Sequence, residues 1–152
     1  MLSSLAMDIL PASLLDLGPL QRIERVSFDA DRWPLLDLLA VLTFPDVICL
    51  KAVADGRMVG FIAGDRREAR GLSWIATVAV LPQFRRQGIG RALLEACEAG
   101  LATPRVRLCV RIDNSSAIRL YERAGYERVD IWPRYYKDRA DAIVMEKSFA
   151  AR

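Results

Sequence analysis

The run from Ser73 to Leu81, Ser-Trp-Ile-Ala-Thr-Val-Ala-Val-Leu, is almost wholly apolar, rich in β-formers and stopped by Pro82. A strand of this composition has no polar face to offer water, so it belongs in the middle of a sheet covered on both sides. Its apolar stretch, Trp74 to Leu81, is far shorter than the roughly 20 residues of a membrane helix. The next segment is equally restrictive. A polar loop leads into Gly88-Ile89-Gly90, and Ile89, Leu93, Ala96, Cys97 and Leu101 then recur as one helical stripe, with Glu95 and Glu98 outside it. A central strand running into an amphipathic helix calls for layered α/β architecture.

The remaining segments fit that frame. Leu5 to Leu10 reads as a first strand, and Leu14, Leu17, Leu20, Ile23 and Val26 recur at three-residue steps as a helix closed by Phe28. A second helix starts near Asp31 and Pro34 and stops at Pro45. Val47 to Ala54 and Met58 to Asp65 are strands about an Asp55-Gly56-Arg57 turn. Arg105 to Arg111 is a further strand, after which Asn114-Ser115-Ser116 caps a helix with Ala117, Leu120, Tyr121 and Ala124 on one face and Gly125 behind it. Tyr126 to Ile131 and Ala142 to Phe149 are the last strands. The order is strand, two helices, three strands, helix, strand, helix, two strands: a mixed α/β sheet in one domain, residues 1–152, with short flexible ends.

Composition removes whole classes of chemistry. The 152 residues include no histidine, which excludes serine-histidine and cysteine-histidine hydrolases and histidine-based metal sites. Cys49, Cys97 and Cys109 are odd in number and too widely spaced for a zinc cage or a disulfide framework, as in a reducing cytoplasm, and no metal is expected. No cation precedes Arg22, and Asp8 interrupts the early apolar residues, unlike a secretory signal. Net charge is +3, and among the 22 cations only Lys51, Lys137 and Lys147 are lysine. Arginine favours an anionic ligand, but its scatter along the chain does not draw a nucleic-acid stripe. The expectation is a cytoplasmic protein with no nucleic-acid or membrane partner, monomer or homodimer undetermined.

The loop Leu81 to Ala92 concentrates the chemistry. Unpaired amides at a helix N-terminus carry partial positive charge, glycine admits close approach by an anion, and Arg85, Arg86 and Arg91 add cations. A dinucleotide fingerprint fails here, because Leu93 stands where its third glycine belongs and a polar loop separates strand from Gly88. The pattern Arg85-x-x-Gly88-x-Gly90, placed after Val78-Ala79-Val80, resembles the acetyl-CoA loop of the GNAT superfamily of acyltransferases. Asn114 through Tyr126, Asn-Ser-Ser-Ala-Ile-Arg-Leu-Tyr-Glu-Arg-Ala-Gly-Tyr, resembles its following helix. Features around Arg22 to Phe28 and from Tyr135-Tyr136 to Met145 are similar to bacterial ribosomal-protein N-terminal alanine acetyltransferases.

The resemblance implies a GNAT fold, with about seven strands and about four helices in a sheet splayed at the acetyl-CoA site. It implies transfer of an acetyl group from acetyl-CoA directly to a primary amine. By residue, Val78, Ala79 and Val80 would pair with the pantetheine arm. Arg85, Arg86, Gln87, Gly88, Ile89, Gly90 and Arg91 would hold the pyrophosphate. Asn114 and Ala117 would contact the cofactor arm, and Tyr121 would be the general acid to the leaving thiolate. Glu24, Phe28, Trp33, Tyr135 and Tyr136 would flank the acceptor. The departure is Cys109, standing where those relatives carry a glutamate base. Arg107 and Arg111 share its strand face and could lower its pKa, although a strand cysteine is more often a small core residue. Glu24 and Asp141 are alternative bases. The acceptor stays open between a protein N-terminal α-amine and a small amine, with a non-catalytic acyl-CoA sensor as the third reading.

Overall fold

A computed structural model describes residues 6–28, 35–67 and 70–150. The elements are β1 (Met7–Pro11), α1 (Leu17–Phe28), α2 (Leu35–Thr43), β2 (Val47–Ala54), β3 (Arg57–Asp65), β4 (Leu72–Val80), α3 (Ile89–Leu101), β5 (Arg105–Arg111), α4 (Ser115–Arg123), β6 (Glu127–Trp132) and β7 (Ala142–Ser148). Short 3-10 turns, Leu14–Asp16 and Pro82–Phe84, precede α1 and follow β4. The expected caps at Asp31 and Pro34 lie outside the described residues. Asp55 and Gly56 both have positive φ, 53° and 74°, and Ala54 pairs with Arg57, so the hairpin turns in two residues as an Asp-Gly pair favours, and Arg57, expected in the turn, begins β3.

The strands form one sheet in the order β1-β2-β3-β4-β5-β7-β6. Neighbours are antiparallel except β4 and β5, which run parallel and are joined through α3. α1 and α3 pack on β3 and β4, and α2 on β2. Every residue of β3 from Val59 to Gly64 is buried, as a strand with helices on both faces must be. A Cβ at Gly64 would lie 2.8 Å from Cys97 Sγ, so glycine here sets how closely α3 can approach. The core joins Leu20 and Ile23 of α1, Phe61 and Ile62 of β3, Leu93, Leu94 and Leu101 of α3, and Val106, Leu108 and Met145.

Two expectations require correction. β4 is the fourth of seven strands, so its central place is right, but it is not buried evenly. Ser73, Ile75, Thr77 and Ala79 are buried, Trp74, Val78 and Val80 half-buried, and Ala76 exposed. Glu98, expected outside the α3 stripe, is only 3% exposed. Its carboxylate accepts from Tyr126 Oη at 2.7 Å and from Lys147 Nζ at 3.1 Å, partners from 28 and 49 residues along the chain that local periodicity cannot show. Among the described residues no helix is long and apolar enough to cross a membrane.

Candidate active site

β4 and β5 are paired only over their first halves, Leu72–Ile75 against Arg105–Leu108. Beyond that each follows its other neighbour, β4 along β3 as far as Val80 opposite Gly60, and β5 along β7 as far as Arg111 opposite Ala142. The strands part and leave a wedge. A bulge sits at the parting, because Ala63 pairs with Thr77 and Gly64 with Ile75, so Ala76 has no partner on β3. This divergence is why the apolar run of β4 keeps an exposed residue in mid-sheet.

A cavity of about 170 Å³ occupies the wedge. β4 contributes Ile75 to Val78, β5 contributes Leu108 to Arg111, α4 contributes Asn114, Ala117 and Tyr121, and Tyr136 comes from the segment joining β6 to β7. Among the described residues no carboxylate lines it. The Asn114 side chain accepts from the Ala117 amide at 3.3 Å, so the expected cap is present and also faces the wedge. Tyr121 is 7% exposed, and its ring packs edge-on against Tyr126 at 6.1 Å. Burial, with the Tyr136 phenol nearby, pushes its pKa above the ordinary tyrosine value, so it stays protonated at neutral pH. Burial likewise pushes the Cys109 thiol up to about 11. The lowering that neighbouring cations could cause is absent: Arg107 is held by Glu146 at 2.9 Å, and Arg111 by Asp113 and Asp138. Cys109 is half-buried against the wedge, not a core residue, and it is a thiol at neutral pH.

The loop after β4 ends in an exposed helix start. Gly88 caps α3 at φ 82° with no side-chain cap bond, and an added Cβ there would meet nothing within 4 Å. The first amides of α3 thus receive no acceptor from their cap residue, which is the arrangement that binds anions. Arg86 is left-handed at φ 61°, and Arg85 Nε donates to the Val80 carbonyl at 3.1 Å. Gly90 faces α4, where a Cβ would lie 3.2 Å from Leu120 Cδ2.

An open wedge between two parallel strands, together with this helix start, coincides with a family match. The family model described as the acetyltransferase (GNAT) family matches residues 17–126. The chain belongs to the GNAT family. This GNAT chain is 31% identical to an N-alpha-acetyltransferase of Sulfurisphaera tokodaii over 150 aligned positions, 88% of each chain. It matches the structure of the ribosomal-protein-S18-alanine N-acetyltransferase from Escherichia coli with a TM-score of 0.86 at 27% identity, covering 97% of this chain and 96% of that one. Ard1 from Thermoplasma volcanium gives 0.85 at 30% identity, covering 94% and 97%. The chain is therefore an N-acetyltransferase, of a family that uses acetyl-CoA.

Within this GNAT fold the residues singled out from sequence fall in several places. Val78, Asn114, Ala117, Tyr121 and Tyr136 meet at the wedge. None of the loop residues Arg85 to Arg91 lines that cavity, and Ile89 is buried in the core. Ala79 is also a core side chain, and Val80 packs against the core, which leaves their backbones as what they could offer a ligand. Arg91, counted among the loop cations, has its guanidinium held by Glu95 at 3.0 Å and by the Arg123 carbonyl at 3.1 Å, tying α3 to the end of α4. Glu24 is buried on α1 and does not line the wedge. Phe28 closes α1, and Trp33 lies outside the described residues. Tyr135 is 54% exposed and stands between Trp132 and Tyr136, at 5.4 and 5.1 Å.

Reading along the sequence misses that these tyrosines continue a row. Trp132 stacks on Trp74 at 5.8 Å, Arg107 lies over Trp74 at 6.0 Å, and Arg111 lies over Tyr136 at 4.9 Å. The available signal was period-two alternation: Arg105, Arg107 and Arg111 share a β5 face, and the parallel register sets Trp74 opposite Arg107. Among the described residues no cluster of three or more metal-ligating side chains occurs.

Proposed function

We propose that this GNAT enzyme transfers acetyl from acetyl-CoA to the α-amine of a polypeptide, and that the transfer takes place in the β4/β5 wedge. The observation that carries the reading is a wedge lined, among the described residues, by a protonated phenol and by no carboxylate.

The residues present suit the cofactor. The α3 start offers unpaired amides and an open approach at Gly88, and the edge of β4 past Ile75 has no β5 partner. The backbone amides from Arg86 to Arg91 would hold the pyrophosphate, Val78 to Val80 and Asn114 the pantetheine arm. When bound, acetyl-CoA supplies an acyl group activated as a thioester. Ala76, without a register partner on β3 at the bulge, would turn its backbone to a developing oxyanion. Tyr121 keeps its proton at Oη and is the donor for a departing anion.

Among the described residues the lining has no carboxylate to serve as counter-ion to an ammonium or as a base to deprotonate one. At pH 7 about 14% of an α-amine is already neutral, against about 0.04% of a lysine. The wedge thus favours α-amines over lysine side chains. The relatives named as N-alpha-acetyltransferase and alanine N-acetyltransferase support the same acceptor class.

The test is CoA release with free-N-terminus peptides, each paired with an N-terminally blocked, lysine-containing twin. Turnover of the free peptides alone is expected. Turnover of the blocked twins, or of small amines only, would overturn the α-amine assignment, and tight cofactor binding without any turnover would leave a sensor. Cys109→Glu should extend the pH-rate profile to lower pH. A profile unchanged in both Cys109→Glu and Cys109→Ala would take position 109 out of the mechanism.

A further inference from the structure

We propose that Arg111 is a positioning residue: by gripping Asp138 it holds the segment between β6 and β7 over the wedge, and acceptor binding depends on that grip. The proposal rests on the wedge being the acceptor end of the active site. Arg111 is the last residue of β5 and lines the wedge. Its Nη1 and Nη2 donate one to each carboxylate oxygen of Asp138, at 3.2 Å for Nη1, while Nε donates to Asp113 at 3.2 Å. The same guanidinium lies 4.9 Å from the centroid of Tyr136, the ring through which the segment lines the wedge. One side chain therefore fixes both the tip of the segment and the ring it presents.

The segment needs such a hold. Its base is fastened to β5 by the Ile112 amide on the Asp141 carbonyl, at 3.1 Å. Its tip is folded by short-range bonds. The Ala140 amide donates to Asp138 at 3.2 Å, the Tyr136 amide to the Ala140 carbonyl at 3.2 Å and the Arg139 amide to the Tyr136 carbonyl at 2.8 Å. Arg134 and Arg139 are both left-handed, φ 53° and 69°, a conformation that side chains other than glycine resist. A tight tip containing two such residues opens readily unless something outside it binds the closed form. The Arg111 fork is that outside contact, and its geometry is one a lysine cannot reproduce. With Asp113 and Asp138 on it, Arg111 also presents little net charge to an incoming amine.

An exposed bidentate pair of this kind shifts an open-closed balance by about fivefold. For a parent closed about three to one, Asp138→Asn is expected to raise the acceptor KM about twofold, with kcat and acetyl-CoA affinity unchanged. Arg111→Lys should raise it similarly. The double variant should be no worse than either single, because both remove one shared contact. An unchanged KM in Asp138→Asn, or effects that multiply in the double variant, would overturn the proposal. A second readout needs no turnover. Arg134, Lys137 and Arg139 are exposed tryptic sites in the segment, and cleavage follows the open population. Trypsin should cut the segment about 2.5-fold faster in Arg111→Lys, which leaves its cleavage sites unaltered, than in the parent; equal rates would refute the latch. If the parent acetylates no peptide, the proposed function fails, and the trypsin rates alone decide the latch.

Discussion

Gly88→Ala separates what this glycine does for folding from what it does for the cofactor. The backbone there is left-handed at φ 82°, and an added methyl meets nothing within 4 Å. The folding cost is therefore conformational only, about 1 kcal/mol, which lowers Tm by about 2–4 °C in a chain of this size. The space is open, however, because it faces outward at the α3 start. A methyl there stands where a pyrophosphate must approach the amides. Loss of one charge-assisted hydrogen bond, about 1.5–3 kcal/mol, corresponds to a 10- to 150-fold weaker acetyl-CoA affinity. Gly56→Ala is the matched control: φ is 74°, the surroundings are equally empty, and the position is a hairpin turn. Calorimetric titration with acetyl-CoA and thermal unfolding of both variants provide the assay. Similar losses of Tm with weakened binding in Gly88→Ala alone are expected. Unaltered affinity in Gly88→Ala would refute the placement of the pyrophosphate at the α3 start.

Tyr121→Phe should keep acetyl-CoA affinity and Tm while lowering kcat roughly 100-fold, as removal of a general acid does; a kcat within twofold of the parent would strip Tyr121 of that role. Cys109, with its thiol raised to about 11 from an ordinary 9.0, should react with iodoacetamide about 100-fold more slowly than a free thiol at pH 7.5. Its rate should rise about tenfold per pH unit until the pH nears 11, since a raised pKa delays the thiolate; mass spectrometry of the labelled peptide tracks this. Glu98→Ala strands the Lys147 ammonium and the Tyr126 hydroxyl beside a buried position. A loss of about 3–5 kcal/mol, or roughly 10 °C of Tm, is expected, and calorimetry showing a drop under 2 °C would contradict it.

What the chain spelled out by itself is what short-range physics controls. Asp55-Gly56 dictated a two-residue hairpin because both positions take positive φ, Asn114 supplied the α4 cap from its own side chain, and apolar spacing located α3. The open start of α3 was legible for the same reason, since Gly88 and the helix start are contiguous. Tertiary structure decided the rest. The wedge exists because β4 and β5 each keep an outer neighbour while losing one another, a property of sheet register that no local pattern encodes. Glu98 is buried because Tyr126 and Lys147 arrive to satisfy it, and Arg91 turns from the loop because the end of α4 stands beside it. In the sequence Arg111 is only a cation on the Cys109 face of its strand, and folding sets Asp138 and Tyr136 against it. Backbone preferences act over a few residues and can be read along the chain; the charge, exposure and partners of a side chain depend on what folding brings next to it.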